Sequence, residues 1–365
     1  MYNYKKLNKQ NILKEGENMI KVGIVGATGY VGEELIRILL HHPEVKISFA
    51  TSKSYAGQSM DLIYGHFREK CSLICMKDDW ESLSEEADVI FLALPHGIAS
   101  HKITDSLLQK TKMIDLGADY RLKDQKTYED WYQTVHGSPH LLQKGVYGLC
   151  EWYREDIQQS SLIANPGCYT TCSILSLAPL VKENLIKPET IIIDAKSGVT
   201  GAGRSLNLAN HFTECNESLK AYKVAAHRHT PEIEEQLSKI GHTSICLTFT
   251  PHLVPMNRGI FVTAYASIKN GVTEKQIRQA YKTYYDKETF IRLLPEGVYP
   301  ETRWVKGSNY CDISLTLDKR TGRVIVLGTL DNLVKGAAGQ AVQNMNLLFD
   351  FPETMGLEAT PIFPI

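Results

Sequence analysis

The sequence has no apolar run of about 18 residues, the length that a helix needs to cross a membrane, so we expect no membrane span. It also lacks an early segment that joins a basic start, an apolar stretch and a small-residue cleavage site. Its eight cysteines are scattered through 365 residues, without the dense spacing of a disulfide framework. These absences favour a reducing compartment, and we expect a cytoplasmic protein.

The sequence also carries almost no net charge. Lys and Arg nearly balance Asp and Glu, which gives -1 at pH 7, so no broad cationic surface exists to attract nucleic acid or anionic lipid. The composition is 43% hydrophobic, and a chain of this length can form about two domains with substantial cores. We therefore predict a small-molecule partner, with neither nucleic acid nor membrane as partners.

The order of predicted elements indicates an α/β protein in two parts. Short apolar runs alternate with helical patterns in the first part, which is typical of a parallel sheet covered on both faces. The later strands are longer and β-branched, which favours an α+β domain with a mainly antiparallel sheet. A helical pattern over 334–349 is expected to return to the first domain. The predicted parts are a disordered extension (1–18), a parallel-sheet domain (19–166, completed by 330–365) and a second domain (167–329).

A glycine-rich turn follows the first predicted strand. Gly26, Gly29 and Gly32 have G-x-x-G-x-x-G spacing between this strand and a helical pattern. Dinucleotide sites use such glycines for a tight turn, for close approach of the backbone to the pyrophosphate and for helix–strand packing. The spacing departs from G-x-G-x-x-G, but the order strand, turn, helix, strand fits. We predict dinucleotide binding, the alternative being glycines that serve only turn and packing.

The residues after the second predicted strand indicate which dinucleotide binds. An NAD enzyme usually has Asp or Glu there, bonded to the ribose hydroxyls. This chain has Thr51, Ser52 and Lys53 instead. Hydroxyls and a cation suit a 2′-phosphate, so NADP is favoured over NAD; the alternative is an ordinary polar loop.

A cysteine stands where an apolar run gives way to a helical pattern. Cys168 follows the turn Asn165-Pro166-Gly167, and a helix N-terminus lowers the pKa of a thiol. Gly167 would allow the chain to bend and a substrate to approach closely. We predict that Cys168 is a nucleophile and that Cys172, one helical turn later, is a packing residue. The same packing role is predicted for Cys71, Cys75, Cys150, Cys215, Cys246 and Cys311.

A histidine pair supplies candidates for the base that a nucleophilic thiol needs. His227 and His229 lie two residues apart before a predicted helix, so both point to one side if the segment is extended. No cysteine or carboxylate set with zinc-like spacing joins them, so we predict acid–base or substrate-binding roles and no metal.

Nine motifs are spread along the chain: "GATGYVG" (26–32), "LPHG" (94–97), "DLGADYRL" (115–122), "YGLCE" (147–151), "NPGCYTT" (165–171), "SGVTGAGR" (197–204), "HRHTPEI" (227–233), "FTPHLVPMNRG" (249–259) and "DNLVKGAAGQAVQNMN" (331–346). Together they resemble the N-acetyl-gamma-glutamyl-phosphate reductase family of the semialdehyde dehydrogenase superfamily, from Met19 to about Glu358. Thr170 stands where the family pattern has proline.

The resemblance implies NADPH-dependent reduction of N-acetyl-gamma-glutamyl phosphate to the semialdehyde and phosphate, in arginine biosynthesis. It implies that 19–166 with 330–365 form a Rossmann-type NADP-binding domain, and that 167–329 form a catalytic, substrate-binding and oligomerisation domain. It also implies a thioester on Cys168 and makes His227 the general base. The expected cofactor-binding residues are Gly26, Thr28, Gly29, Tyr30, Val31, Gly32, Thr51, Ser52, Lys53, Pro95, His96, Gly97 and Asn332. The expected substrate-binding residues are Arg121, Ser197, Gly198, Arg204, His229 and Arg258. Arg204 is favoured for the substrate anion because it follows a glycine-rich segment.

Three alternatives stay open. Aspartate-semialdehyde dehydrogenase shares the architecture and the chemistry, but there an asparagine directly precedes the cysteine, whereas this chain has Gly167. A reductase acting on a carrier-protein-linked acyl phosphate is a closer variant. A non-enzymatic NADP sensor would not need the cysteine, the histidine pair and the anion loop together. Strand edges and the second sheet indicate a homo-oligomer, dimer or tetramer.

Overall fold

The computed structural model describes residues 19–363 and arranges them around two seven-stranded sheets. The predicted disordered extension, residues 1–18, lies outside the described residues, as do residues 364–365. Within the described part of the chain, no helix is long and apolar enough to span a membrane.

The first sheet is wholly parallel. Its strands in chain order are β1 (Ile20–Val25), β2 (Val45–Thr51), β3 (Cys75–Met76), β4 (Val89–Leu92), β5 (Lys112–Asp115), β6 (Val146–Tyr147) and β7 (Leu162–Ala164). Across the sheet they run β3-β2-β1-β4-β5-β7-β6, so the order reverses beside β1. Ligands of such sheets bind at the carboxyl ends of the strands at this switch point. The predicted Rossmann-type sheet is confirmed.

Helices connect the parallel strands. They are α1 (Tyr30–Leu39), α2 (Met60–Ile63), α3 (Trp80–Leu83), α4 (Asp105–Lys110), α5 (Gln125–Tyr132) and α6 (Cys150–Gln158). In α1, Leu35, Ile36 and Leu39 recur at helical spacing and are buried against the sheet. This packing fixes the beginning of α1 beside the carboxyl end of β1, where the glycine turn lies.

The second sheet is mixed, and most of its pairs are antiparallel. Its strands are β8 (Ile192–Ser197), β9 (Lys220–Ala221), β10 (Thr248–Leu253), β11 (Ile260–Ser267), β12 (Ile291–Leu293), β13 (Cys311–Asp318) and β14 (Arg323–Leu330). The pairs β8–β10 and β12–β13 are parallel, a detail that the strand patterns did not predict. Both are joined by long crossover connections, which parallel neighbours require.

Five further helices complete the described chain, namely α7 (Cys168–Lys182), α8 (Phe212–Cys215), α9 (His229–Gly241), α10 (Glu274–Tyr285) and α11 (Gly339–Leu348). Every residue of α7 from Tyr169 to Val181 is buried, because α7 lies between α9 and the strands β11 and β14. A helix that is apolar on all sides must be enclosed in this way. The enclosure fixes the position of Cys168 at its N-terminus.

The predicted C-terminal helix has two parts. Val334–Ala338 form a π-helical turn, and α11 follows directly and packs on α6 and α1 of the first domain. Single π-helical turns inside helices frequently lie at functional sites. This one places Gly336 against Cys168, as described below.

Candidate active site

One cavity of about 1050 Å³ unites the predicted nucleotide and catalytic sites. At one end its walls include Gly26, Ser52 and Lys53 of the first domain. At the other end they include Cys168 and His229. The glycine turn and the thiol are therefore parts of a single site between the two sheets.

The glycine turn has the shape that a dinucleotide needs. Gly26 has φ +83°, and a Cβ on it would lie 2.4 Å from the carbonyl oxygen of Ala93. A Cβ on Gly32 would lie 2.5 Å from the Gly26 oxygen, so α1 approaches the turn too closely for any side chain. Gly29 is the N-cap of α1 and has no side chain to occupy the first N–H groups of the helix, which are suited to a phosphate. These residues fit NADP.

The three predicted residues at the end of β2 have different roles. Thr51 is fully buried, and its hydroxyl accepts a hydrogen bond from the Gly26 N–H at 3.4 Å, so it supports the turn from behind. Ser52 and Lys53 line the cavity. The Ser52 hydroxyl lies 2.7 Å from that of Thr28 and accepts a hydrogen bond from the Tyr55 N–H at 3.2 Å.

Some of the remaining predicted cofactor residues line the cavity, and others lie beside it. Thr28, Tyr30, Val31, Pro95 and Asn332 line the cavity. The side-chain amide of Asn332 donates to the Thr200 hydroxyl at 2.9 Å and its oxygen accepts from the Gly259 N–H at 2.7 Å, so it holds together the segments that follow β8, β10 and β14.

His96 and Gly97 lie beside this wall. The His96 ring contacts the Arg228 guanidinium and lies 5.3 Å from the ring of Tyr132. The Gly97 N–H donates to a carboxylate oxygen of Asp119 at 2.6 Å. These contacts suit residues that shape the loop after β4.

Cys168 is half-buried at the first position of α7. Burial raises the pKa of its thiol to about 11, although the Tyr169 N–H and the charge of Arg121 favour the thiolate. The helix N-terminus therefore acts in the predicted direction, but desolvation outweighs it. A Cβ on Gly336 would lie 2.8 Å from the Cys168 Cβ, so the π-helical turn covers the thiol closely. A base must remove the thiol proton.

The two histidines are not equivalent. His229 lines the cavity with Cys168, and a Cβ on Gly167 would lie 2.5 Å from its Nε2. Its Nδ1 is buried without a hydrogen-bond partner among residues 19–363. Burial places the pKa of His229 well below its ordinary value, and the charges of Arg121 and Arg228 lower it further, so the ring is neutral.

His227 lies behind His229. It is only 9% exposed, and its ring packs edge to face on Tyr169 at 5.6 Å and Phe249 at 5.4 Å. Its Nδ1 accepts a hydrogen bond from the backbone N–H of His229 at 3.1 Å. Burial lowers the pKa of His227 to about 2, with the neighbouring His229 adding to this effect. The geometry favours His229 over His227 as the group next to the thiol.

A buried carboxylate that the sequence patterns did not single out connects α9 to the cysteine turn. Glu232 accepts hydrogen bonds from the Gly167 N–H at 3.1 Å and from the Tyr147 hydroxyl at 2.8 Å. It also forms an ion pair with Arg121 at 3.2 Å, and Thr170 donates to it at 2.7 Å. The available signal was its place one helical turn after His229 in "HRHTPEI".

Of the six predicted substrate-binding residues, three line the cavity and three do not. Arg121 and His229 line the cavity beside Cys168. Arg204 also lines the cavity, and its guanidinium donates to the Thr28 carbonyl at 2.9 Å. Arg258 forms ion pairs with Glu34 at 2.6 Å and Asp331 at 3.6 Å.

Ser197 and Gly198 support the loop after β8. The Ser197 hydroxyl is buried and donates to the Gly198 carbonyl at 2.9 Å. A Cβ on Gly198 would lie 2.6 Å from the Asn257 oxygen, so two backbone segments meet there. In the part of the chain that the structure describes, no group of three His, Cys, Asp or Glu residues could hold a metal.

Comparison with family models divides the chain at the cysteine turn. Residues 21–160 match the NAD binding domain of semialdehyde dehydrogenase, and residues 168–332 match its dimerisation domain. The fold and the site define a semialdehyde dehydrogenase. The N-acetyl-gamma-glutamyl-phosphate reductase of Lachnoclostridium phytofermentans is 54% identical over 346 residues, which cover 95% of this chain and 100% of the relative. The chain belongs to the N-acetyl-gamma-glutamyl-phosphate reductase family, as the sequence motifs predicted.

Other similar proteins agree. The relative of that name from Campylobacter jejuni is 56% identical over 340 residues, covering 93% of this chain and 98% of its own. Among solved structures, aspartate semialdehyde dehydrogenase II of Vibrio cholerae has a TM-score of 0.70 at 17% identity, covering 92% of this chain and 99% of that chain. The NADP complex of the Candida albicans aspartate semialdehyde dehydrogenase has a TM-score of 0.67 at 17% identity, covering 91% and 98%. At 17% identity, this structural similarity shows that the chain shares the fold of these enzymes.

Proposed function

We propose that this protein reduces N-acetyl-gamma-glutamyl phosphate to N-acetylglutamate semialdehyde and phosphate with NADPH, a step of arginine biosynthesis. The observation that carries the proposal is the position of Cys168, at the start of α7 in the same cavity as the glycine turn. The names of the relatives at 54% and 56% identity support the choice of substrate.

The first step transfers the acyl group to sulfur. Because the pKa of Cys168 is about 11, the group is a thiol at neutral pH, and the neutral His229 can accept its proton. Sulfur then attacks the acyl carbon, a C–S bond forms, and the C–O bond to phosphate breaks. The His229 imidazolium can return the proton to the leaving phosphate. The result is a thioester on Cys168.

The second step reduces the thioester. The bound cofactor supplies the hydride. The N–H of Tyr169, which already favours a negative charge on the thiol, is placed to stabilise the oxyanion of the resulting tetrahedral adduct. Collapse of the adduct breaks the C–S bond, releases the aldehyde and returns the Cys168 thiolate, which takes up a proton.

The substrate brings a carboxylate and a phosphate, so the site needs cations. We propose Arg121 and Arg228 for this role. Arg121 lines the cavity next to Cys168, although Glu232 partly neutralises it. The Arg228 guanidinium lies 5.2 Å from the centre of the Tyr132 ring and, within residues 19–363, forms no ion pair with a carboxylate.

The test of the reaction is a coupled assay in the reverse direction. N-acetylglutamate semialdehyde, phosphate and NADP should react rapidly, and aspartate semialdehyde should react poorly. Preference for aspartate semialdehyde would contradict the proposed substrate.

The test of the nucleophile is mass spectrometry of the acyl-enzyme formed without NADPH. The adduct is expected on Cys168 alone. Cys168→Ser should fold and bind NADPH but lose essentially all reduction, because a serine ester is a poorer hydride acceptor. Cys172→Ser, a change of the same size one turn further on, should remain active. An adduct on another residue would overturn the mechanism.

The cofactor preference has its own test. Lys53 lines the cavity beside Ser52, and a charge-assisted bond to phosphate contributes roughly 1.5–3 kcal/mol. NADPH should therefore be preferred over NADH by about tenfold or more, and Lys53→Ala should reduce that preference. Equal efficiency with both cofactors would contradict it.

We also propose a cytoplasmic homo-oligomer. The eight cysteines are free thiols, which suits a reducing compartment. One face of the second sheet packs on helices, whereas Phe261 and Tyr265 of β11 and Ile325 and Leu327 of β14 stay half-exposed on the other. A second copy would cover this apolar face, and sedimentation should show a dimer or tetramer. Phe261→Lys should weaken the assembly, whereas Lys319→Glu, on a hairpin tip, should not.

A further inference from the structure

Arg204 reaches from the second domain to the first. Its guanidinium donates hydrogen bonds to the Thr28 carbonyl and to the Tyr64 hydroxyl, both at 2.9 Å. It lies over the Tyr64 ring at 4.7 Å and over the Tyr55 ring at 5.5 Å. Thr28 and Tyr64 are 176 and 140 residues away from Arg204 along the chain. The two hydrogen bonds therefore cross the cavity between the domains.

The partners of Arg204 are the neighbours of Ser52. The Thr28 hydroxyl lies 2.7 Å from the Ser52 hydroxyl, and the Tyr55 N–H donates to the Ser52 hydroxyl at 3.2 Å. Lys53 follows directly and lines the same part of the cavity. Arg204 therefore lies in the part of the cavity where the hydroxyls and the cation suit a 2′-phosphate.

Within the described range 19–363, no carboxylate forms an ion pair with Arg204. Arg121 and Arg258 both form ion pairs, with Glu232 and with Glu34. Among residues 19–363, Arg204 has instead a carbonyl, a phenol and two aromatic rings. A phosphate dianion binds a guanidinium more strongly than these groups do, and can take two parallel N–H bonds from it.

We propose that Arg204 binds the 2′-phosphate of NADPH, opposite Lys53, and so determines cofactor specificity from the second domain. The inference rests on the proposed use of NADPH and assigns Arg204 to the cofactor instead of the substrate anion. Because the two cations belong to different domains, the 2′-phosphate would also draw the domains together. NADH lacks this group and would leave Arg204 on Thr28 and Tyr64.

The direct test measures cofactor binding without substrate. Titration of the full-length protein by nicotinamide fluorescence should show that Arg204→Ala weakens NADPH binding roughly 10- to 100-fold and leaves NADH binding unchanged. Arg204→Lys should recover part of the loss. Arg320→Ala removes an arginine whose side chain is 85% exposed on a hairpin, and it should change neither affinity. Equal losses for NADPH and NADH, or no loss for NADPH, would overturn the proposal.

Steady-state kinetics separate the cofactor role from a substrate role. At saturating NADPH, Arg204→Ala should keep the KM for the acyl phosphate. A raised KM for the acyl phosphate with unchanged NADPH affinity would overturn the inference and assign Arg204 to the substrate. The fluorescence titration measures cofactor binding and does not depend on turnover. If the proposed substrate is wrong, the coupled assay will fail and the fluorescence result will be unaffected.

Discussion

Burial acts in opposite directions on the two side chains that begin the reaction. It raises the pKa of the Cys168 thiol and lowers that of His229, so both groups are uncharged in the free protein. The proton therefore stays on sulfur until an electrophile is present. Arg121 stabilises the thiolate once it forms, and Glu232 holds Arg121 in place.

The histidine pair gives the first prediction at the residue scale. His229→Asn should fold and bind NADPH but lose about 10² to 10⁴ in turnover, the usual scale of general acid–base catalysis. His227→Asn should lose less, because His227 supports the backbone of His229 and lies outside the cavity wall. Turnover of both variants and NADPH binding as the folding control would check this. A larger loss in His227→Asn would return the base role to His227.

The pH dependence of stability is the second prediction. The pKa of His227 is about 2 in the folded protein and about 6.5 in the unfolded chain, so between these values only the unfolded state takes up the proton. The contribution of His227 to the free energy of unfolding should be complete above pH 6.5. It should decrease on acidification by up to about 1.4 kcal/mol per pH unit. Urea unfolding between about pH 7 and 5 would measure it. His227→Asn should show a shallower fall, and an unchanged slope would count against the assignment.

Local sequence was enough to predict some of these residues and not others. Cys168 was identified because a turn, a glycine and a helical pattern lie next to it in the chain. The ion pair of Arg121 with Glu232 joins residues 111 positions apart, and no local pattern encodes such a contact. The same holds for burial, which decides the pKa of Cys168 and depends on the whole fold.

At the scale of elements, the π-helical turn Val334–Ala338 gives the third prediction. Gly336→Ala would place a methyl group 2.8 Å from the Cys168 Cβ, so the turn or the thiol must move. We expect a loss of about 10² in turnover with a stability loss of roughly 1–3 kcal/mol. Gly65→Ala is the control, because a Cβ there meets nothing within 4 Å. Turnover and urea unfolding of both variants check this; full activity of Gly336→Ala would contradict the contact.

Elements with strong local patterns were predicted well. The glycine turn and α7 lie where the sequence placed them. The strands β3 and β6 were not predicted, because two residues are too few to show the alternation of apolar and polar side chains that is typical of a strand. The π-helical turn was not predicted, because its residues continue the helical pattern of α11.

At the scale of the molecule, Arg258 joins the two domains and gives the fourth prediction. It comes from the loop between β10 and β11 and pairs with Glu34 of α1, which is fully buried. Arg258→Met should destabilise the protein by roughly 2–4 kcal/mol, since it leaves a buried carboxylate with Arg37 alone. The KM for the acyl phosphate should stay nearly unchanged. Urea unfolding and kinetics measure both, and a raised KM with unchanged stability would favour the substrate role predicted from the sequence.

The late segment of the chain that packs back on the first domain affects when the site forms during translation. Asn332 and Gly336 complete the walls of the cavity, and α11 anchors them on the first domain. On the ribosome the first domain and the cysteine helix emerge long before these residues do, and domains fold in the order in which they emerge. The growing polypeptide therefore carries its thiol without a finished site around it until Asn332, Gly336 and α11 have been synthesised.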